Sequence, residues 1–347
     1  MLDELTTAPQ STYSHMHKLL RCPDHEHTIE WLQHALQTAI TLEFATVPLY
    51  LTALWSIEDP HHEAAHQIRN VVHEEMLHFA LACNLLSAIG GEPALTGPAF
   101  VPHYPGGLPD PIEKGIDVWL GGLSDALLDC FIRIERPELP GDPVASHADY
   151  ATIGAFYGAI LKAFQHINPP LAIGRQITGA MATMVIHDLK GVEGAIRLIQ
   201  HQGEGAQHSD CVPGTDDMAH FYRFLSVKHH QEVIDITVND KNGSYTPVFG
   251  DKQWDAPLVW PVANVPKGGY LKTDVAPDVW SALRSFDEAY TAMLDSLQSA
   301  WSHGDQTGMI HGIEQMFRLT ELGRALMQYE IPGTNQRYAP CFRYISR

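Results

Sequence analysis

The sequence has little positive charge. Twenty-two lysines and arginines stand against 41 aspartates and glutamates, giving a formal net charge of −19 over 347 residues with no basic run. Nucleic acid and anionic membrane surfaces both require a cationic footprint, so neither is expected as a partner. Cysteine is also sparse. Cys22, Cys83, Cys130, Cys211 and Cys341 are far apart, odd in number and lack any C-x-x-C pair. That spacing excludes a cysteine zinc site and fits a reducing compartment. No uninterrupted apolar run approaches the roughly 18 residues of a membrane span. The opening MLDELTTAPQ has neither the basic nor the apolar segment of a secretion signal. A soluble, cytoplasmic chain is therefore expected, and Asn242-Gly243-Ser244 reads as an Asn-Gly turn rather than a used glycosylation sequon. Short solenoid repeats are absent as well.

What is present is a 45% hydrophobic chain long enough for a sizeable core. Its patterning predicts an all-α fold in one domain, 1–347, with a core bundle over about 25–235. A cap at 236–275 and a C-terminal helical extension at 276–347 complete it. Helical periodicity marks 28–57, then a helix ending at Ile89 before Gly90-Gly91. The short connection makes these an antiparallel pair. Pro48 inside the first helix predicts a kink near Phe44. Periodicity vanishes over 93–143, a proline- and glycine-rich loop interrupted by an apolar stretch at 120–134 that carries Trp119, Leu127, Phe131 and Ile134 at or near it. A second pair is expected at 150–167 and 176–202, and a further helix from about Thr215. Turn chemistry and β-branched residues at 238–273 predict short strands or an irregular cap. Two last helices carry apolar seams, one through Leu283, Phe286, Tyr290 and Trp301, the other through Met309, Ile313, Met316 and Phe317. Neither seam is expected to carry chemistry.

Three side chains interrupt the apolar rows of the first helical pair. Glu43 lies in the row Leu36-Ile40-Glu43-Val47-Tyr50. Glu75 and His78 lie in Ile68-Val72-Glu75-His78-Phe79-Ala82. Residues three apart share a helix face, and a core-facing carboxylate is costly unless something pairs with it. A Glu from one helix and a Glu-x-x-His from the next is the half-site with which ferritin-like four-helix bundles hold iron or manganese. The competing reading is a buried, hydrogen-bonded carboxylate pair or a local ion pair of Glu75 with a histidine. Glu74 points about 100° away from Glu75 and is the weaker candidate. His61, His62, His66 and His73 fall on polar faces and are expected to be solvated.

The second half should supply further ligands. Glu204 extends the Ile196-Gln200 row at a helix end between two glycines, and His220 opens the next helix on its aromatic face. Sixteen residues separate them, so only a helix broken by a loop brings them together. His208 competes from a polar loop.

The segments LEFATVPLYLTALWSI, VVHEEMLHFALACNLLSAIGG, YPGGLP, IGAFYGAI, HQGEGA and MAHFYRFL resemble the ferritin-like domain of the bacterial iminophenyl-pyruvate dimer synthases, enzymes of violacein-type pathways. The likeness covers most of 25–235. It implies a ferritin-like four-helix bundle with Glu43, Glu75, His78, Glu204 and His220 as metal ligands. One departure stands out: relatives carry a glutamate where this chain has Ala155. That would leave a ligand vacancy facing Glu43. The resemblance further implies a non-heme, iron-type oxidative enzyme, with one or two ions and manganese or another first-row metal also open. Its partners would be a small amino-acid-derived or secondary-metabolite substrate and dioxygen, with residues 98–111 covering the site; a homo-oligomer is compatible. No residue is identifiable as a general base. Iron sequestration without organic substrate, or a catalytically silent scaffold, are the alternatives.

Overall fold

The computed structural model describes residue 16 and residues 19–108, 116–137, 139, 153–179, 184–203, 218–239 and 243–346. Helix α1 (Ile29–Ser56) starts where the Thr28 hydroxyl accepts the Trp31 amide at 3.2 Å, satisfying one of the donors a helix start leaves orphaned. Its residues are buried almost all round, so it is the central helix of a core and not an amphipathic surface helix. By length and composition it could cross a membrane, but 89% of its most apolar window is buried within protein. The helix runs on through Pro48, whose missing N–H leaves the Phe44 carbonyl without its usual donor.

Helix α2 (Glu63–Ala88) returns against α1. Contacts of Thr46 with Glu75 and of Glu43 with His78 show the antiparallel sense expected. Gly90, at φ +81°, supplies the left-handed residue that ends the run. The apolar stretch in the following loop forms helix α3 (Asp125–Ile134), capped by the Ser124 hydroxyl. Before it, two short strands, β1 (Gly106–Gly107) and β2 (Asp117–Val118), pair antiparallel. Leu127, Phe131 and Ile134 are buried as expected, and Trp119 is partly buried.

Helices α4 (Ile153–Ile167) and α5 (Leu189–Gly203) form the second pair, and α6 (His220–His229) packs on α2 and α3. One expectation fails here: residues 176–188, where described, are not helical. The expected helix start at Thr215 lies outside the described residues, and the described helix runs from His220. The cause of the failure is visible. The Gln176 side-chain amide donates to the Ile186 carbonyl at 2.6 Å and accepts the Ile186 amide at 2.8 Å, while Gly179 sits at φ +82°. A buried side chain thus takes up the backbone groups that a helix would otherwise pair.

The cap is a hairpin of β3 (Gln231–Asn239) and β4 (Ser244–Gln253), bulged near Val233. Helices α7 (Pro277–His303) and α8 (Gln306–Leu326) pack on each other and on the bundle. At Gly323 of α8 an added Cβ would come within 2.5 Å of the Trp55 ring, so glycine permits the close approach to α1. Arg324 donates to the Trp55, Ile57 and Glu58 carbonyls at 3.1, 2.8 and 2.9 Å, closing the C-terminal end of α1. The α8 seam closes less fully than expected: Met309 is buried, Ile313 and Met316 are partly buried, and Phe317 is 72% exposed.

Candidate metal centre

Four of the sequence-derived candidates meet inside the bundle. Glu43 comes from α1, Glu75 and His78 from α2, and His220 from the first position of α6; all are buried. Glu75, His78 and His220 each offer a ligand atom lying within 4.8 Å of the others, so the three could hold a metal ion. The Glu43 Oε2 lies 3.5 Å from His78 Nδ1, and Glu75 Oε1 lies 2.9 Å from His220 Nδ1. Glu204 and the competing His208 lie outside the described residues.

The centre has a member that the loop expectation concealed. Glu135, the C-cap residue of α3, is buried with its Oε2 3.4 Å from His220 Nδ1. It carries the same signal as Glu43, because it continues the apolar row Leu128-Phe131-Glu135 at helical spacing. Ala155 does not face the centre as expected: it is exposed. From that helix, Tyr157 reaches inward instead and donates to Glu43 Oε1 at 2.7 Å.

A layer of hydrogen bonds holds the five groups. Tyr50 donates to Glu135 Oε1 at 2.5 Å, and the Thr46 hydroxyl lies 2.8 Å from Glu75 Oε2. Burial, and then the charges of Glu135 and Glu43 respectively, push the Tyr50 and Tyr157 hydroxyls well above their ordinary pKa, which keeps both as donors. His78 Nε2 pairs with Gln202 Oε1 at 2.9 Å, turning Nδ1 toward Glu43. His220 Nε2 pairs with Glu74 Oε2 at 3.0 Å, and Arg223 lies 3.4 Å from the other Glu74 oxygen. Glu74 is thus not a bystander on a polar face; it orients the imidazole.

Electrostatics and geometry fit a cation. Burial, and then the Glu135 charge, raise the Glu75 pKa to about 7. Burial pulls His220 down, but Glu135, Glu74 and Glu75 outweigh it and raise the imidazole well above its ordinary value. Burial likewise pulls His78 down, but the adjacent Glu43 outweighs it and raises its pKa. Protons therefore offset the like charges. A metal ion would replace them, since coordination requires deprotonated carboxylates and neutral imidazoles. Moreover, His220 Nδ1 is buried and makes no hydrogen bond of acceptable geometry despite the nearby carboxylates. Once deprotonated, that buried ring nitrogen, with carboxylate oxygens 2.9 and 3.4 Å away, could serve with them as a ligand to a cation. Carboxylate and imidazole together suit first-row metals.

Residues 98–108, the described part of the expected cover, lie elsewhere. Phe100 packs at a tilt on Phe44 with ring centroids 5.0 Å apart, and Tyr104 donates to the Ala45 carbonyl. The space beside the carboxylates is bordered instead by Ile134, Ile153, Gly154, Ile199 and Gln200.

Comparison with known proteins bears on the fold that carries the centre. A ferritin-like family profile matches residues 36–229, more than half of the chain. The chain belongs to the ferritin-like family. Among solved structures, a ferritin-like protein from Caulobacter vibrioides superposes with a TM-score of 0.63 at 23% identity, over 90% of this chain and 99% of that one. That likeness speaks for the fold and extends it past the bundle into the C-terminal helices. No curated protein matches the chain.

Proposed function

We propose that this ferritin-like protein is a metal-dependent oxidative enzyme acting on a small amino-acid-derived or secondary-metabolite substrate, similar to the iminophenyl-pyruvate dimer synthases. Iron, as one or two ions, is the proposed metal, held by Glu43, Glu75, His78, Glu135 and His220, with Glu204 as a further candidate. The observation that carries the reading is the convergence of three carboxylates and two imidazoles from four separate segments, with His220 Nδ1 left without a hydrogen bond. The substrate class rests on the sequence resemblance alone.

When bound, the metal would supply Lewis acidity and one-electron chemistry toward dioxygen. The chain's own residues set the frame for it. Tyr157, Tyr50 and Thr46 hold one oxygen each of Glu43, Glu135 and Glu75, leaving the other oxygen of each carboxylate toward the imidazoles. Gln202 and Glu74 fix the two imidazole orientations. Ile134, Ile153 and Ile199 keep the surroundings apolar, which strengthens every charge interaction inside.

A second reading is iron oxidation without an organic substrate. It is favoured by the size of the space beside the carboxylates, about 20 Å³ among the described residues, which suits a water or a diatomic and not an organic molecule. Anaerobic loading of the metal-free protein with ferrous iron, followed by oxygen uptake, tests both. Uptake that is stoichiometric with iron and indifferent to added imino or amino acids supports the second reading. Uptake that is sustained only with such a substrate supports the first. No iron bound at all would sink both.

A further inference from the structure

On a neighbouring face of the α1–α2 hairpin, the bundle and the α7–α8 pair enclose a cleft of about 610 Å³. Phe44, Tyr290, Leu319 and Phe342 are buried behind it, and Leu51, Leu77, Ile313 and Met316 present partly exposed apolar surface to it. Phe317 stands at the rim with most of its ring in water. The α8 seam, expected to be ordinary core, therefore does not close onto the bundle here. Apolar walls facing a cleft wide enough for water gain when that water is exchanged for apolar matter, so occupation by an apolar molecule is favourable.

The dimensions decide what kind of occupant fits. A volume of 300–1,000 Å³ is the range of small-molecule sites. The lining decides the chemistry. Four aromatic rings are joined by the thioethers of Met76, Met293 and Met316, and sulfur packs favourably against aromatic rings. No lysine or arginine lines the space, so an anion would be buried there without a fixed positive partner; the ionisable lining groups are His73 and Glu74. Both Glu74 oxygens are already engaged, by His220 and Arg223, so a cation gains no free partner.

We propose that this cleft is a binding site for an uncharged aromatic molecule. Because Glu74 borders the cleft and also pairs with His220, the bound molecule lies one side chain from the centre. The site itself needs no metal, so its failure and the failure of the oxidative reading are separate results.

Fluorescence titration of the full-length protein with 1-aminoanthracene, neutral at pH 7.5, tests the proposal. One saturable site per chain is expected, with 9-anthracenecarboxylate binding at least ten-fold more weakly. Ile313→Trp and Met316→Trp fill the cleft from partly exposed wall positions and should each weaken binding at least ten-fold. Thr320→Trp, at an exposed position on the same wall, serves should either variant lose its helical circular dichroism. Ile310→Trp, on the same helix but outside the lining, should bind as the parent does. The proposal is overturned by non-saturable binding to the parent, by tighter binding of the anion, or by folded filling variants that bind the probe unchanged.

Discussion

At the scale of single residues, Glu135 and Ala155 make opposite predictions. Glu135 is buried against His220, and its loss should remove a ligand; Glu135→Ala is expected to lower metal affinity at least ten-fold. Ala155 is exposed, so Ala155→Glu should leave the metal-to-protein ratio unchanged. Elemental analysis after dialysis against a weak chelator reads both. A rise in metal content with Ala155→Glu would mean that this position faces the centre after all. The double variant Glu75→Ala/His78→Ala should lose most of its metal, because the remaining groups cannot complete a coordination sphere. Glu74 acts at one remove. Removing its charge with Glu74→Gln should weaken metal binding by about 10- to 100-fold, the usual effect of losing the partner that orients a ligating imidazole. An unchanged affinity would show that the Glu74–His220 contact is structural only.

At the scale of elements, the legible parts were those with uninterrupted periodicity. The hairpin of α1 and α2 could be read because a polar group in a long apolar row has one sensible direction, inward. Glu135 obeys the same rule, but its ten-residue helix lies between proline-rich stretches of sequence, where too few turns accumulate for a period to stand out. The non-helical 176–188 segment was illegible for a different reason. Its course depends on Gln176 bonding to Ile186, a contact set by tertiary burial and not by local propensity. His220 could be assigned to the centre, whereas its partner Glu74 could not. Helix phase alone aims Glu74 away from Glu75, but a glutamate is long enough to swing back toward a ring on the adjacent helix. Element docking also yields a prediction. Arg324 caps three carbonyls at the end of α1 and lies over the Trp260 ring at 4.7 Å. Arg324→Met should cost about 1–3 kcal/mol of unfolding free energy in urea, as expected for losing charged hydrogen bonds in a partly exposed place. A loss below about 0.5 kcal/mol would mean that water replaces the guanidinium without penalty.

At the scale of the whole molecule, the centre links stability to pH in opposite senses with and without metal. The Glu75 carboxyl titrates at about 7 in the folded chain, above the ordinary carboxylate range it has when unfolded. Between those values the folded state holds the extra proton. The resulting stabilisation is complete below the unfolded pKa and is lost as pH rises through about 7. The raised pKa values of His78 and His220 act in the same direction. Metal-free protein should therefore become less stable on going from pH 6 to pH 8. Metal binding must displace these same protons, so its affinity rises over that interval. Its contribution to stability grows with the ratio of free metal to dissociation constant. The gap in Tm between metal-loaded and chelator-treated protein should thus widen from pH 6 to pH 8. Groups far from the centre titrate alike in both forms and cancel in the difference, which isolates the buried cluster. Paired thermal melts at the two pH values, at fixed free ferrous ion under anaerobic conditions, make the measurement. A gap of equal size at both pH values would show that metal, if it binds, does not displace protons from Glu75, His78 and His220.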